Sequence, residues 1–133
     1  MLKGHCECRR VQFEADSEIT DFSHCHCSQC RRLHGAAFAT FAGVPVDSFR
    51  YVAGASTVKT YASSDNHNRQ FCSECGSNIL VELTDYSDEI YLSMSAIEGD
   101  PARPEGYHIY VGSKAPWHEI TDQLEKYEAE PPD

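Results

Sequence analysis

Hydrophobic and polar residues alternate in short runs along most of the chain, a pattern typical of β-strands with one buried face. In the run 8–13, Val11 and Phe13 lie on the same face of an extended chain. Four more runs combine alternation with β-branched and aromatic residues: 56–61, 79–83, 90–94 and 107–111. The pattern therefore predicts a mainly β fold of short antiparallel strands with little helix.

Helical periodicity is confined to two short segments. One turn of helix is expected around 29–33, and a second over 121–128, where Leu124 and Tyr127 would face the core. The tail, from about residue 128 to residue 133, is acidic and proline-containing, so we expect it to be frayed. Because no repeat or linker interrupts the sequence, we expect one domain over 1–133.

The charge balance narrows the range of partners. The chain of 133 residues has 11 Lys and Arg against 21 Asp and Glu, a formal net charge of −10. Without a basic stripe to neutralise phosphates, neither nucleic acid nor an anionic membrane is an expected partner. The apolar runs are also far shorter than the about 20 residues that span a bilayer.

Seven cysteines carry most of the chemical information. Their odd number, with an N-terminus that lacks the apolar segment of a signal peptide, favours a reduced, cytoplasmic compartment over a disulfide framework. Close cysteine spacing in that compartment is typical of metal or redox sites.

Two of the cysteine motifs together supply four sulfurs. On an extended strand, Cys6 and Cys8 would point to the same face. Residues Cys72 to Gly76 form a C-x-x-C-G motif, the shape of a zinc knuckle in which Cys75 follows a tight turn and glycine accepts an unusual backbone angle. Four thiolates complete the tetrahedral shell of a structural zinc ion.

The third motif supplies three sulfurs, from Cys25, Cys27 and Cys30. A strand followed by a turn would bring them together. Three protein ligands with an open fourth position are typical of a reactive zinc ion rather than a structural one. The spacing therefore predicts two zinc ions per chain, one closed and one open.

Several alternatives remain open for these motifs. Strand alternation points His26 away from the sulfurs, so it is a weak candidate for a fourth ligand, whereas spacing excludes neither His24 nor His34. The cysteines could also be buried and inert, or form an iron–sulfur centre. A redox dithiol is a further alternative, at Cys72 and Cys75 or at Cys27 and Cys30.

The order of these motifs resembles the glutathione-dependent formaldehyde-activating (GFA) family, to which centromere protein V is related. The matching segments are Gly4-His5-Cys6-Glu7-Cys8, Cys25-His26-Cys27-Ser28-Gln29-Cys30-Arg31-Arg32, Phe71-Cys72-Ser73-Glu74-Cys75-Gly76, and the closing stretch from Ile109 to Trp117 with His118. The resemblance extends from about residue 4 to residue 125.

This resemblance implies a β-tent-type fold and a carbon–sulfur lyase that condenses glutathione with formaldehyde to S-hydroxymethylglutathione, or acts on a related thiol. It also implies a division of the ligands between a structural zinc on Cys6, Cys8, Cys72 and Cys75 and a second, catalytic zinc on Cys25, Cys27 and Cys30. The second ion is expected to be the more labile one. The competing hypotheses are a non-catalytic zinc-stabilised β domain that binds a partner protein or a thiol metabolite, and a metal or redox sensor.

Other polar residues are expected to have ordinary roles. Three arginines could face an anionic thiol but are expected to be solvated at the surface: Arg31, Arg32 and Arg69. His118 could form an acid–base set with Glu119 and Asp122. Because both acids lie near the start of the predicted second helix, we expect them to interact with its dipole instead.

Overall fold

A computed structural model describes residues 1–132. In these residues the chain forms eleven β-strands, one α-helix and four short 3₁₀ helices. The strands are β1 (Leu2–His5), β2 (Gln12–Ala15), β3 (Asp21–Cys25), β4 (Ala39–Pro45), β5 (Phe49–Ala53), β6 (Val58–Ser64), β7 (His67–Cys72), β8 (Asn78–Leu83), β9 (Tyr86–Ser93), β10 (Tyr107–Ile109) and β11 (Glu125–Lys126). The α-helix is α1 (Ser28–His34), and the 3₁₀ helices are Val46–Ser48, Ala55–Thr57, Met94–Ala96 and Val111–Ser113.

The strands form two sheets. A three-stranded sheet has the order β1-β2-β5, and an eight-stranded sheet has the order β11-β10-β3-β4-β9-β8-β7-β6. Most neighbours are antiparallel, but β10 runs parallel to both β3 and β11. The predicted mainly β fold with little helix is confirmed.

The buried residues form two hydrophobic clusters, and each contains cysteines. The larger cluster has Phe13, Ile79 and Leu92 as its largest fully buried side chains and includes Cys6 and Cys72. The smaller one has a separate set of members: Cys25, Cys30, Ala39, Phe41 and Val81. Each group of cysteines therefore lies against packed apolar side chains, which limits its movement.

The predicted strands are present, with shifted ends. The runs 79–83, 90–94 and 107–111 fall largely within β8, β9 and β10. The run 56–61 becomes strand only at Val58, because a 3₁₀ turn follows Gly54, whose φ is 73°.

The run 8–13 becomes strand only at Gln12. The chain folds back before it, with Arg9 at a φ of 68° and the Cys6 N–H bonded to the Val11 carbonyl at 3.0 Å. The predicted face is nevertheless correct, since Val11 and Phe13 are both buried.

Of the two predicted helices, only the first is present. Helix α1 begins after Cys27, whose side chain accepts a hydrogen bond from the Cys30 N–H. It ends at His34 and is followed by the capping residue Gly35, whose φ is 59°. The helix predicted over 121–128 is wrong. Its backbone pairs with the edge of the sheet instead, as β11 against β10, and the Tyr127 N–H donates to the His108 carbonyl at 2.9 Å.

The acidic tail is partly bound to the rest of the chain. The carbonyls of Ala129 and Glu128 accept hydrogen bonds from the N–H groups of Tyr110 and Gly112, at 3.0 and 3.3 Å. Residues 128 and 129 therefore extend the backbone pairing of β11, and the fraying of the tail stays a prediction. Asp133, the last residue of the predicted tail, lies outside the described residues.

None of the helices within 1–132 combines the length and the apolar character that crossing a membrane requires.

Candidate metal centres

Cys6, Cys8, Cys72 and Cys75 form a four-sulfur group, in which all four Sγ atoms lie within 4.8 Å of one another. Cys8 Sγ lies 3.5 Å from Cys6 Sγ and 3.8 Å from Cys72 Sγ. A tetrahedron with metal–sulfur bonds of about 2.3 Å has sulfur–sulfur edges of about 3.8 Å. These spacings and this all-sulfur donor set fit a tetrahedral metal ion such as zinc.

Two tight turns produce the four-sulfur group. The first follows β1 and carries Cys6 and Cys8, so these residues belong to a turn rather than to the predicted extended strand. The second follows β7, where the Gly76 N–H donates to the Cys72 carbonyl at 2.8 Å and Gly76 has a φ of 81°. That positive φ is the backbone angle that the C-x-x-C-G motif predicts for its glycine.

Cys25, Cys27 and Cys30 form a three-sulfur group, again with all Sγ atoms within 4.8 Å of one another. Cys25 ends β3, Cys27 caps α1 and Cys30 lies in its first turn, as the strand-then-turn expectation requires. Cys25 and Cys30 are buried, whereas Cys27 is half-buried. Both cysteine groups could therefore bind metal ions, and the second is accessible from the side of Cys27.

The three sulfurs influence one another strongly. Hydrogen bonding to Cys27 and Cys30, followed by burial, raises the pKa of the Cys25 thiol. Hydrogen bonds from Cys25 and Cys30 lower the pKa of the Cys27 thiol to about 2. Three sulfurs this close ionise together only when a cation balances them. A cation bound among the three sulfurs would favour the ionised form of each of them.

None of the three flanking histidines belongs to the three-sulfur group. His26 is fully buried, and its Nε2 atom lies 2.8 Å from Nδ1 of His108. Nδ1 of His24 lies 2.8 Å from Thr40 Oγ1. The expectation that His26 faces away from the sulfurs is confirmed. His34 packs edge-on against Phe41, with its buried Nε2 atom lacking a hydrogen-bond partner in the described structure.

The expectation that Arg69 is solvated is wrong. Its side chain is only 4% exposed, and both terminal nitrogens lie 3.6 Å from Cys30 Sγ. Arg32 is exposed as expected, and Arg31 is half-buried. A charged side chain is expected to face solvent, so the sequence of this strand did not indicate a buried arginine.

A second residue that sequence reasoning missed is His108. It lies on β10, is buried, and connects His26 to the exposed Asp122 carboxylate, which lies 2.9 Å from its Nε2 atom. The hydrogen bond from His108 lowers the pKa of Asp122. Asp122 also accepts the Leu124 N–H at 3.1 Å. The interpretation of Asp122 as a helix-dipole acid is therefore corrected: the carboxylate orients a buried histidine.

We expect Asp122→Ala to loosen the segment 121–128 and to lower the free energy of unfolding by about 1 kcal/mol, because buried His108 loses its acceptor. Since the pKa of Asp122 is lowered in the folded state, its contribution is present above about pH 4 and is lost as the pH falls through the folded pKa. Chemical unfolding at pH 7 and at decreasing pH measures this difference. Glu119→Ala, at an exposed acid of the same charge, is the control. Equal stability of the two variants at pH 7 would contradict the expectation.

The chain is similar in sequence to several known proteins. The sequence model of the family described as "Glutathione-dependent formaldehyde-activating enzyme" matches residues 1–113. A Halomonas elongata protein named "Putative glutathione-dependent formaldehyde-activating enzyme" is 30% identical over 128 residues, which cover 90% of this chain and 81% of that protein. An uncharacterized lyase of Schizosaccharomyces pombe is 28% identical over 97 residues, covering 73% of this chain and 69% of the relative.

The fold has a counterpart among solved structures. A crystal structure of a Rhodobacter sphaeroides protein superimposes with a TM-score of 0.64 at 27% identity, covering 74% of this chain and 89% of that one. The family match spans all three cysteine motifs. The chain therefore belongs to the glutathione-dependent formaldehyde-activating enzyme family.

Proposed function

We propose that this protein is a zinc-dependent enzyme of the carbon–sulfur lyase type that acts on a thiol–aldehyde adduct. Its reaction joins glutathione, or a related small thiol, to formaldehyde and gives S-hydroxymethylglutathione or the corresponding adduct. One observation carries the proposal. The protein has a group of three sulfurs, one fewer than a closed tetrahedral site needs, beside a separate group of four.

The four-sulfur group is proposed to hold a structural zinc ion within a single domain over 1–133. Its sulfurs come from two turns that are 64 positions apart at Cys8 and Cys72, so one ion would join the three-stranded sheet to the end of β7. Structural zinc contributes on the order of 10 kcal/mol to the folding of small domains. Cys6 and Cys72 lie on the buried side of this group, whereas Cys8 and Cys75 are exposed.

The three-sulfur group is proposed to hold the second zinc ion, with its fourth position open to substrate. When bound there, zinc lowers the pKa of a thiol and polarises a carbonyl oxygen. Cys25 and Cys30 line the buried side, and half-buried Cys27 lies towards solvent. The substrate thiol would therefore approach on the side of Cys27.

In the proposed reaction, the sulfur of the ionised substrate thiol forms a bond with the aldehyde carbon. The π-electron pair of the carbonyl bond moves to the oxygen, and the proton released by the thiol ends on that oxygen. Nothing is oxidised or reduced, so a redox cofactor is not needed. The reverse sequence cleaves the carbon–sulfur bond, which accounts for the lyase classification of the proposed activity.

The proposal is tested by incubating the zinc-reconstituted protein with formaldehyde and one of several thiols: glutathione, cysteine or 2-mercaptoethanol. Exchange NMR with isotopically labelled formaldehyde measures the rate of adduct formation against the spontaneous reaction. We expect acceleration with at least one thiol and no acceleration by the metal-stripped protein. A protein with two bound zinc ions that leaves every rate at background would instead be a zinc-stabilised binding domain.

A further inference from the structure

Arg69 is a buried cation that lacks a carboxylate partner. Its side chain is 4% exposed, and in residues 1–132 no ion pair within 4.0 Å joins it to an acidic side chain. Its Nε atom donates to Ser63 Oγ at 2.9 Å. Its two terminal nitrogens both face Cys30 Sγ, at 3.6 Å. Since an unpaired buried charge is costly, the anion that balances Arg69 has to be the sulfur centre itself.

The fold places this guanidinium with little freedom. Arg69 lies on β7 between β6 and β8, paired with Tyr61 and Val81. The Ser63 hydroxyl, from β6, orients the Nε end of the guanidinium, so that the two terminal nitrogens form a fork aimed at one sulfur. Two parallel N–H donors on one acceptor are a geometry that arginine provides and lysine does not.

The charges of the two partners match. Three thiolates with one divalent ion carry a net charge of −1, and one guanidinium cancels it. Hydrogen bonds from outer partners orient metal ligands and change the electron density that the ligands donate. Cys30 therefore has two N–H donors on its sulfur, which withdraw electron density from it and make it a weaker nucleophile.

The lowered nucleophilicity of Cys30 is relevant because the proposed reaction uses an aldehyde. An electrophile near three metal-bound thiolates can be attacked by those sulfurs as well as by the substrate sulfur. A substrate thiolate arrives without the two N–H donors that Cys30 has, and is therefore the better nucleophile of the two. Loss of Cys30 to alkylation would also remove a metal ligand.

We propose that Arg69 is the positioning residue of the three-sulfur group: it neutralises the metal–thiolate charge and, through two hydrogen bonds to Cys30, keeps that sulfur bound to the metal and protected from electrophiles. This inference rests on the proposed function in that it takes the three-sulfur group to be the site of the second zinc. Arg69 itself takes no part in bond making.

Two readouts test the proposal on the zinc-loaded protein without any thiol–aldehyde turnover. The first is the rate at which zinc is transferred to the chelator 4-(2-pyridylazo)resorcinol. The second is the rate at which iodoacetamide alkylates each of the seven cysteines, followed by mass spectrometry of peptides. The variants are Arg69→Gln, Arg69→Lys and Ser63→Ala, and the control is Arg32→Gln, which removes the same charge from an exposed site on α1.

For Arg69→Gln we expect one of the two zinc ions to be released at least about tenfold faster, the range in which outer-sphere partners act on metal sites. Cys30 should be alkylated faster than it is in the parent protein. Arg69→Lys keeps the positive charge but lacks the two parallel N–H donors. Its rates of zinc release and of Cys30 alkylation should lie between those of Arg69→Gln and those of the parent. In Arg32→Gln, zinc release and alkylation should be the same as in the parent. In Arg69→Gln, the other zinc ion should be released at the parent rate.

Parent-like zinc release and parent-like alkylation of Cys30 in Arg69→Gln would overturn the proposal. If that variant does not fold, Ser63→Ala and Arg69→Lys decide: faster alkylation of Cys30 supports the role, and parent behaviour in both rejects it. The outcome is separable from the proposed reaction. If the parent is inactive but its Arg69 variants lose zinc faster, only the proposed reaction is rejected. If the parent is active and its Arg69 variants behave like the parent, only the role of Arg69 is rejected.

Discussion

Cys72→Ser is expected to release the structural zinc and to unfold most of the domain. Cys72 is fully buried at the end of β7, within the larger hydrophobic cluster and 3.8 Å from Cys8 Sγ. Losing one of four sulfurs weakens the binding of an ion that contributes on the order of 10 kcal/mol to the free energy of folding. This contribution is comparable with the whole stability of a typical domain, about 5–15 kcal/mol. Metal analysis and thermal unfolding under reducing conditions measure both effects.

Two results would contradict this expectation. The first is a parent protein that holds no zinc after reconstitution. The second is a Cys72→Ser protein with the unfolding temperature of the parent, which would mean that packing alone maintains the connection between β1 and β7. The matched comparison is the same cysteine-to-serine change in the three-sulfur group.

Cys27→Ser is expected to abolish thiol–aldehyde activity and to lower the zinc content from two ions towards one, while the fold survives. Cys27 caps α1 by accepting the Cys30 N–H at 3.3 Å. Serine is itself a favourable N-cap, so the variant keeps the helix while it removes a sulfur ligand. We expect a stability change of about 1 kcal/mol, or roughly 2–8 °C in a domain of this size.

The measurements for Cys27→Ser are zinc per chain after reconstitution under reducing conditions, the unfolding temperature, and the rate of adduct formation. If the variant unfolds like Cys72→Ser, the two cysteine groups do not divide into a structural and a reactive site. If it keeps full activity with one zinc, the second ion is not catalytic.

Local chemistry explains why much of the candidate site was predictable. Cysteines two or three residues apart are close in any compact backbone, so the grouping of Cys25, Cys27 and Cys30 depends little on the rest of the fold. The turn glycine Gly76 and the helix start after Cys27 are equally local. The roles of the cysteines as metal ligands and the identity of the metal as zinc stay predictions.

Predictions that relied on a local pattern alone were wrong where another strand pairs with the backbone of the same segment. The segment 121–128 has helical spacing, but β10 offers a free edge, and parallel pairing there satisfies the backbone that a short isolated helix would leave exposed to water. Asp122 consequently meets His108 rather than a helix dipole.

The mainly β fold, the three cysteine motifs and the family could all be predicted from the amino-acid sequence, since they follow from alternation and from short spacings. The surroundings of the sulfurs could not, because they depend on the tertiary structure. Arg69 reaches Cys30 across 39 positions, and His108 reaches His26 across 82. The pairing of β7 with β6 and β8 places Arg69, and the parallel pairing of β10 with β3 places His108. The order of strands in a sheet depends on contacts between distant segments, so the partners of a buried charge are set by the whole fold.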